Sequence, residues 1–183
     1  MNQTFTPDDL DREGKQAYDI EDFLAAARAF EAAADGFKDQ GDKIKAAEMA
    51  NNMSVALLQA DQPQAALDAL GNSVEVFSEE KDYKRQAMAV GNKAAALEAL
   101  GELKEAEALY WESAKLLETC NEMDLRASVL QSISKLQLRS GRYMEAISSM
   151  QSGLDHVEKP NFRQRMLKKL LKVPLNMLDQ PKD

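Results

Sequence analysis

The chain has 183 residues, of which 44% are hydrophobic and 30% are charged, and its net charge at pH 7 is −8. The hydrophobic content is ordinary for a soluble protein, and the negative charge argues against nucleic acid as the main ligand, because duplex binding needs a clustered positive surface. A single cysteine excludes an internal disulfide, the N-terminus does not resemble a signal peptide, and no apolar stretch is long enough for a membrane span. We therefore expect a cytoplasmic protein without membrane contact.

The sequence repeats with a period of forty residues. Residues 1–40, 41–80, 81–120 and 121–160 align without a gap, and small and large apolar residues recur in fixed columns. The columns read Ala26, Ala66, Ala106 and Ala146; Phe30, Leu70, Tyr110 and Met150; and Phe37, Phe77, Leu117 and Val157. Because a fixed period of this size is typical of stacked supersecondary units, the sequence predicts a repeat array and not one compact globule.

Each row contains two amphipathic helical patterns. The first begins after Thr6, an N-cap residue that is followed by Pro7 at the first helical position. In chain order, the apolar spacing predicts helices over 7–19, 22–38, 43–60, 62–79, 82–100, 102–120, 123–140, 142–158 and 161–173. The turn inside each pair is predicted at Glu21, Asp61, Gly101 and Gly141. Because the connections are short, consecutive helices are predicted to be antiparallel.

The order of residues within each row resembles the tetratricopeptide repeat. A turn residue is followed by an alanine, a large apolar residue and a small one, as in Gly101, Ala106, Tyr110 and Ser113. The forty-residue period resembles a longer subtype, in which an Asn lies in the middle of the first helix, as in Asn51-Asn52. The resemblance implies a right-handed superhelix whose first helices line a concave groove that holds a peptide or helix of another protein.

We therefore predict an all-α, right-handed superhelical solenoid of antiparallel helix pairs, with four repeats over 1–160 and a C-terminal capping helix. Residues 161–183 contain six Lys or Arg and two Asp or Glu, and a stripe of apolar residues runs along the predicted last helix. A cap that closes the array is the favoured interpretation of this basic segment. A membrane-surface helix, a self-association element and a swapped segment are the alternatives.

Polar side chains of the first helices are the candidate groove residues. Asn52 and Asn92 are forty residues apart and are predicted to lie at one height on neighbouring helices, where their amides could bind the backbone of a ligand. A basic and polar stripe on the seventh helix, opposed by acidic residues on the first, could fix the direction of that ligand. Ordinary solvated faces are the alternative. The full set of candidates is Arg12, Lys15, Asn52, Asn92, Gln131, Ser132, Lys135 and Arg139.

Enzyme chemistry is not predicted. His156 is the single histidine, Cys120 has no histidine near it in the pattern, and neither a metal motif nor a Gly-rich phosphate loop is present. Tyr110 and Trp111 are neighbours on one helix, so one of them must point away from the core. We predict a protein–protein interaction scaffold or adaptor without enzymatic activity, cofactor or metal. The alternative is a homo-oligomeric structural array driven by the C-terminal helix.

Overall fold

The structure is a computed structural model that describes residues 5–155 and 165–166. Over these residues the chain forms α-helices and no β-strand. Their bounds are α1 Pro7–Asp19, α2 Phe23–Asp39, α3 Lys43–Gln59, α4 Pro63–Ala69, α5 Ser73–Glu79, α6 Tyr83–Leu100, α7 Leu103–Thr119, α8 Met123–Arg139 and α9 Tyr143–Asp155. We call α1, α3, α6 and α8 the first helices, and α2, α4 with α5, α7 and α9 the second helices.

Side-chain caps and left-handed residues fix where the helices begin and end. Thr6 and Asp9 form a capping box at the start of α1. Asp22, Asp42 and Asp82 each accept a hydrogen bond from the third backbone N–H of the helix that follows. The predicted turn column is confirmed, because its residues have positive φ: Glu21 (62°), Asp61 (58°), Gly101 (89°) and Gly141 (74°).

The apolar columns of the sequence form the core. The four alanines of the first column are buried, as are Phe30, Leu70 and Tyr110 of the second and Phe37, Phe77 and Leu117 of the third. Gly14 on α1 leaves room for the ring of Phe30, since a Cβ there would lie 2.6 Å from it. Consecutive helices pack on one another along the chain, and this confirms the predicted all-α solenoid of helix pairs.

The prediction of one continuous helix over 62–79 is wrong. The structure divides this segment into α4 and α5, separated at Leu70–Asn72, because Gly71 has a φ of 50° that no α-helix can contain. The side chain of Ser73 then donates a hydrogen bond to the carbonyl of Leu70 and closes the turn. Both halves still bury residues of the apolar columns, so the break interrupts the helix without changing which columns form the core.

The C-terminal end of the predicted array lies largely outside the described residues. Of the helix predicted over 161–173, the structure describes Arg165 and Met166, both helical and exposed. The bounds of the four repeats and the capping role of 161–183 therefore stay predictions.

Candidate functional site

A groove of about 570 Å³ runs along the first helices of all four pairs. Side chains of α1, α3, α6 and α8 line it, and α2 and α7 contribute Phe30, Tyr110, Ser113 and Leu117. The stacking of helix pairs produces this surface, because each pair presents its first helix on the same side. The groove is thus made by the repeat and not by any one helix pair.

Four of the eight predicted site residues line this groove: Lys15, Asn52, Asn92 and Ser132. The other four are exposed and are not among its lining residues: Arg12, Gln131, Lys135 and Arg139. Arg12 pairs with Asp9 on its own helix at 3.2 Å, and Arg139 pairs with Glu98 at 2.8 Å. The structure thus places one half of the set together, and a binding role for any of the eight stays a prediction.

The centre of the groove holds a bonded pair of amides that includes a residue the sequence analysis did not select. The Nδ2 of Asn92 on α6 donates to the Oδ1 of Asn51 on α3 at 2.9 Å. Asn51 is only 6% exposed, yet it lines the groove together with Asn52 and Asn92. Alignment at an interval of forty pairs Asn92 with Asn52, whereas the side chains meet at an interval of 41.

The same register recurs along the array. Glu98 and Arg139 also meet at an interval of 41, whereas Asp8 with Lys45 and Glu48 with Arg85 meet at an interval of 37. The two intervals differ by four residues, which is about one helical turn, so a residue of one first helix lies between two turns of the next. A search for partners at 37 and 41 would have found Asn51.

The Asn51–Asn92 bond leaves part of each amide unused. A side-chain amide has two N–H donors and a carbonyl oxygen with two lone pairs. The bond takes one donor of Asn92 and one lone pair of Asn51. The pair therefore retains the carbonyl of Asn92 as an acceptor and the NH2 of Asn51 as a donor, beside the groove volume.

Small residues of α6 line the groove next to this amide pair. Ala87, Gly91 and Ala95 recur every four residues along the lining. A Cβ on Gly91 would lie 3.3 Å from the Oγ of Ser113, whose hydroxyl donates to the carbonyl of Ala87 at 2.7 Å. Helix α7 thus approaches α6 closely at Gly91, where an added side chain would crowd Ser113.

The remainder of the groove is mostly apolar. Val55, Met88, Leu125 and Val129 line it, and Met88 is 42% exposed. The charged side chains among its described lining residues, Lys15 and Asp19, both belong to α1. Charge is therefore confined to one end, and the middle of the groove is neutral.

A buried tyrosine adds a neutral polar group to the lining. The hydroxyl of Tyr110 donates to the Oε2 of Glu98 at 3.0 Å, and the Oε1 of Glu98 accepts from Arg139 at 2.8 Å. Burial, followed by the charge of Glu98, raises the pKa of Tyr110 far beyond the physiological range. Tyr110 therefore stays protonated and acts as a hydrogen-bond donor between α7 and α6.

Of the residues considered for enzyme chemistry or for a partner contact, the structure describes Tyr110, Trp111 and Cys120. Trp111 is 44% exposed and Tyr110 is buried, which confirms that one of the two points away from the core. The thiol of half-buried Cys120 contacts the carbonyl of Leu117 at 3.6 Å, and His156 lies outside the described residues. Within the described ranges no group of three or more His, Cys, Asp or Glu side chains could hold a metal ion.

Stacked helix pairs with a common groove define an all-helical repeat scaffold for protein interactions. The family model described as soluble NSF attachment protein matches residues 13–174, and the chain belongs to the soluble NSF attachment protein family. This is a family of non-enzymatic helical adaptors with a tetratricopeptide-like repeat fold. No curated protein matches the chain. None of the described helices is long and apolar enough to cross a membrane.

Proposed function

We propose that this protein is an adaptor that binds a helical segment of a partner protein in the groove between its first helices. The observation that carries the proposal is the groove itself, which is continuous over α1, α3, α6 and α8 and is apolar along most of its length. Contiguous apolar surface of this kind is typical of protein-interaction sites. The family description names attachment to NSF, and SNARE complexes are partners of the family, so such assemblies are the first partners to test.

A helix suits this groove better than an extended peptide does. An extended peptide exposes a backbone N–H and C=O at every residue, and each buried group needs a hydrogen-bond partner. The polar side chains that line the groove from α3 to α8 are Asn51, Asn52, Asn92, Tyr110, Ser113, Ser128 and Ser132. Three of these, Tyr110, Ser113 and Ser128, already donate their hydroxyls within the protein, so too few groups remain to bond both backbone groups of every residue of an extended peptide. A helix satisfies its own backbone and presents only side chains, as an amphipathic helix does in other hydrophobic grooves.

The finer predictions belong to the same proposal. The adaptor is cytoplasmic and carries no cofactor, its repeats are of the forty-residue tetratricopeptide subtype, and residues 161–183 close the array. The single cysteine supports the cytoplasmic placement, because a chain without disulfides suits a reducing compartment.

Two exposed methionines provide a matched test of the groove. Met88 lines it, whereas Met144 on α9 is exposed to a similar degree, 49%, and is not among the lining residues. Met88→Glu places a charge in the apolar groove and should weaken binding of an NSF or SNARE assembly from the host organism at least about tenfold, because a buried unpaired charge is costly. Calorimetric titration of the purified partner measures the effect.

Met144→Glu adds the same charge outside the groove and should leave the affinity unchanged. Equal binding by both variants would show that the groove is not the binding site, even if the partner itself binds.

Self-association is the second candidate function. Leu138, Tyr143 and Met144, on the last described helix pair, are all exposed apolar residues. If a second copy covers them through residues 161–183, light scattering should show a mass that rises with concentration. Deletion of 161–183 should then give a monomer at every concentration, and a monomeric full-length chain would exclude this function.

A further inference from the structure

We propose that the helix held in the groove is uncharged on its buried face and carries one side-chain amide, Asn or Gln, that bonds to the Asn51–Asn92 pair. This proposal depends on the proposed function and specifies the chemistry of the partner. It predicts which of two otherwise similar helices the adaptor selects.

The absence of charge on the buried face follows from the lining. Lys15 and Asp19 lie at the α1 end, and Lys15 is already paired with Asp11 at 2.6 Å. From α3 to α8 the described lining residues are neutral. A charged side chain inserted there would lose its hydration without gaining a counter-ion, and this penalty disfavours it.

The amide follows from the hydrogen-bonding capacity that the pair retains. Asn92 keeps a carbonyl acceptor and Asn51 keeps NH2 donors, so a ligand must donate to one residue and accept from the other. A second side-chain amide does both at once. A carboxylate only accepts, a lysine ammonium only donates, and an apolar side chain would leave both groups without a partner in a dehydrated site.

The groove that the pair lines has a volume of about 570 Å³, which is large enough to admit an Asn or Gln side chain. Gly91 occupies the column in which the preceding repeat has Asn51, and it lines the groove next to Asn92 without a side chain of its own. Val55 and Met88 line the same groove and offer apolar contact to the aliphatic part of an inserted Gln or Asn. The site thus offers one polar position within an apolar surface, which is how single buried amides fix register between paired helices.

Four synthetic helical peptides test the proposal. All have the same alanine and leucine face and differ at one central position, which is Gln, Leu, Glu or Lys. Fluorescence anisotropy measures their affinities for the full-length chain. The Gln peptide should bind about tenfold more tightly than each of the others. Gln forms matched hydrogen bonds with the amide pair, whereas each of the other side chains leaves a buried polar group without a partner. A Leu, Glu or Lys peptide that binds as tightly as the Gln peptide would overturn the proposal.

The variant Asn51→Asp shows whether the preference comes from the amide pair. It has the same shape and still accepts the bond from Asn92, but it replaces the donor with a charged acceptor. Its circular dichroism spectrum should match that of the wild type, which checks that the variant folds. The Gln preference should disappear and the Lys peptide should become the tightest binder. The matched variant Asn72→Asp, at an exposed position that is not among the lining residues, should leave the Gln peptide first. An unchanged ranking in Asn51→Asp would overturn the proposal.

The two proposals fail separately. If none of the four peptides binds in a saturable manner, the amide proposal is wrong, whereas the Met88→Glu test with an NSF or SNARE assembly still decides the proposed function. If the peptides bind but Met88→Glu does not weaken them, the peptides occupy another surface and the amide proposal fails, whereas the Met88→Glu test with the assembly again decides the proposed function.

Discussion

The second and third repeats share one forty-residue frame, and they differ in how the second helix is built. In the third repeat α7 is continuous over seventeen residues, whereas in the second repeat the corresponding segment is the two seven-residue helices α4 and α5. The core columns are occupied in both: Phe77 is buried in α5, and Leu117 is buried at the same position of α7. The comparison shows that the repeats can pack around a broken helix if its buried apolar residues keep their positions in the core.

The two repeats also differ in how they connect to the next element. Leu67 on α4 packs between two apolar clusters, and the matching residue of α7 is Glu107. The carboxylate of Glu107 accepts hydrogen bonds from Arg142 and from Gln137, and Gln137 in turn accepts from Ser149. A polar network therefore joins α7, α8 and α9 in the third and fourth repeats. At the matching position of the second repeat the contact is apolar.

The largest effect is expected from truncating the core phenylalanine of the broken helix. Phe77→Ala should cost about 3–5 kcal/mol of unfolding free energy, as truncation of a buried phenylalanine does. A seven-residue helix is not stable without tertiary packing, so the amides of α5 should also lose protection from hydrogen exchange. Urea unfolding and hydrogen exchange measure the two effects.

Leu117→Ala is the matched control in α7. It should cost about 2–5 kcal/mol, but the exchange protection of its longer helix should fall only in proportion to global stability. Selective loss of protection in α7, or none in α5, would contradict the interpretation that α5 is held by its anchor alone.

The second prediction concerns the residue that breaks the helix. Gly71 has positive φ, and an alanine methyl group there would meet no atom within 4 Å, so Gly71→Ala should cost about 1–2 kcal/mol through backbone strain alone. Gly71→Asn should cost less, because Asn tolerates this conformation, as Asn121 does here with a φ of 60°. Urea denaturation gives the free energies, and circular dichroism gives the helix content.

Gly101 is the control, since it has a φ of 89° and equal space in the turn before α7. Gly101→Ala should be destabilising to a similar extent. If Gly71→Ala instead stabilises the protein and raises its helix content, α4 and α5 have joined, and the glycine rather than the packing frame imposes the break.

The third prediction compares two buried serines in the same column. Ser113 donates across the helix pair to the carbonyl of Ala87, whereas Ser73 donates to Leu70 in its own turn. Ser113→Ala should cost about 1 kcal/mol, the usual value of one hydrogen bond, and should loosen the contact between α7 and α6. Ser73→Ala should cost no more and leave that contact unchanged. Thermal unfolding measures both, and a larger loss from Ser73→Ala would reverse the ranking.

The sequence predicts the frame of this fold well because the frame depends on volume and periodicity. Columns of alanine and of large apolar residues identify the core, and the turn column identifies the left-handed residues. The break at Gly71 could not be predicted in this way, because a single glycine within a helical pattern is often tolerated and the surrounding apolar spacing is uninterrupted. The outcome depends on φ at one residue, which tertiary packing decides.

The groove was predicted in outline and the amide pair was not. Alignment in steps of forty gives which helices are neighbours, but the contacts of a side chain depend on the offset between those helices. Side chains on neighbouring first helices meet at intervals of 41 and 37 residues, which are one more and three fewer than the period of forty. Asn92 therefore meets Asn51 and not Asn52. The exposed positions of Arg12 and Lys135 reflect the same limit, since periodicity assigns a residue to a helix more reliably than to one side of its face.

The smallest effect is expected from the polar network of the third repeat. Hydrogen bonds from Arg142 hold the pKa of Glu107 below its usual value of 4.5, against the opposing effect of burial. Because the pKa is lower in the folded state than in the unfolded state, the ionised carboxylate stabilises the fold above pH 4.5, and this contribution is lost as the pH falls through the folded pKa. Glu107→Gln should therefore lower the Tm slightly near neutral pH and have no effect in acid.

Glu112→Gln removes the same charge from an exposed position of α7 and serves as the control. Its Tm should follow that of the wild type over the whole pH range, because a single solvated charge contributes little to stability. If Glu107→Gln also follows the wild type, the network does not hold α7 to α9, and the apolar columns alone join the third repeat to the fourth. A difference that grows in acid would mean that the carboxylate is stabilised in the unfolded chain, which is the opposite of the sign derived from Arg142.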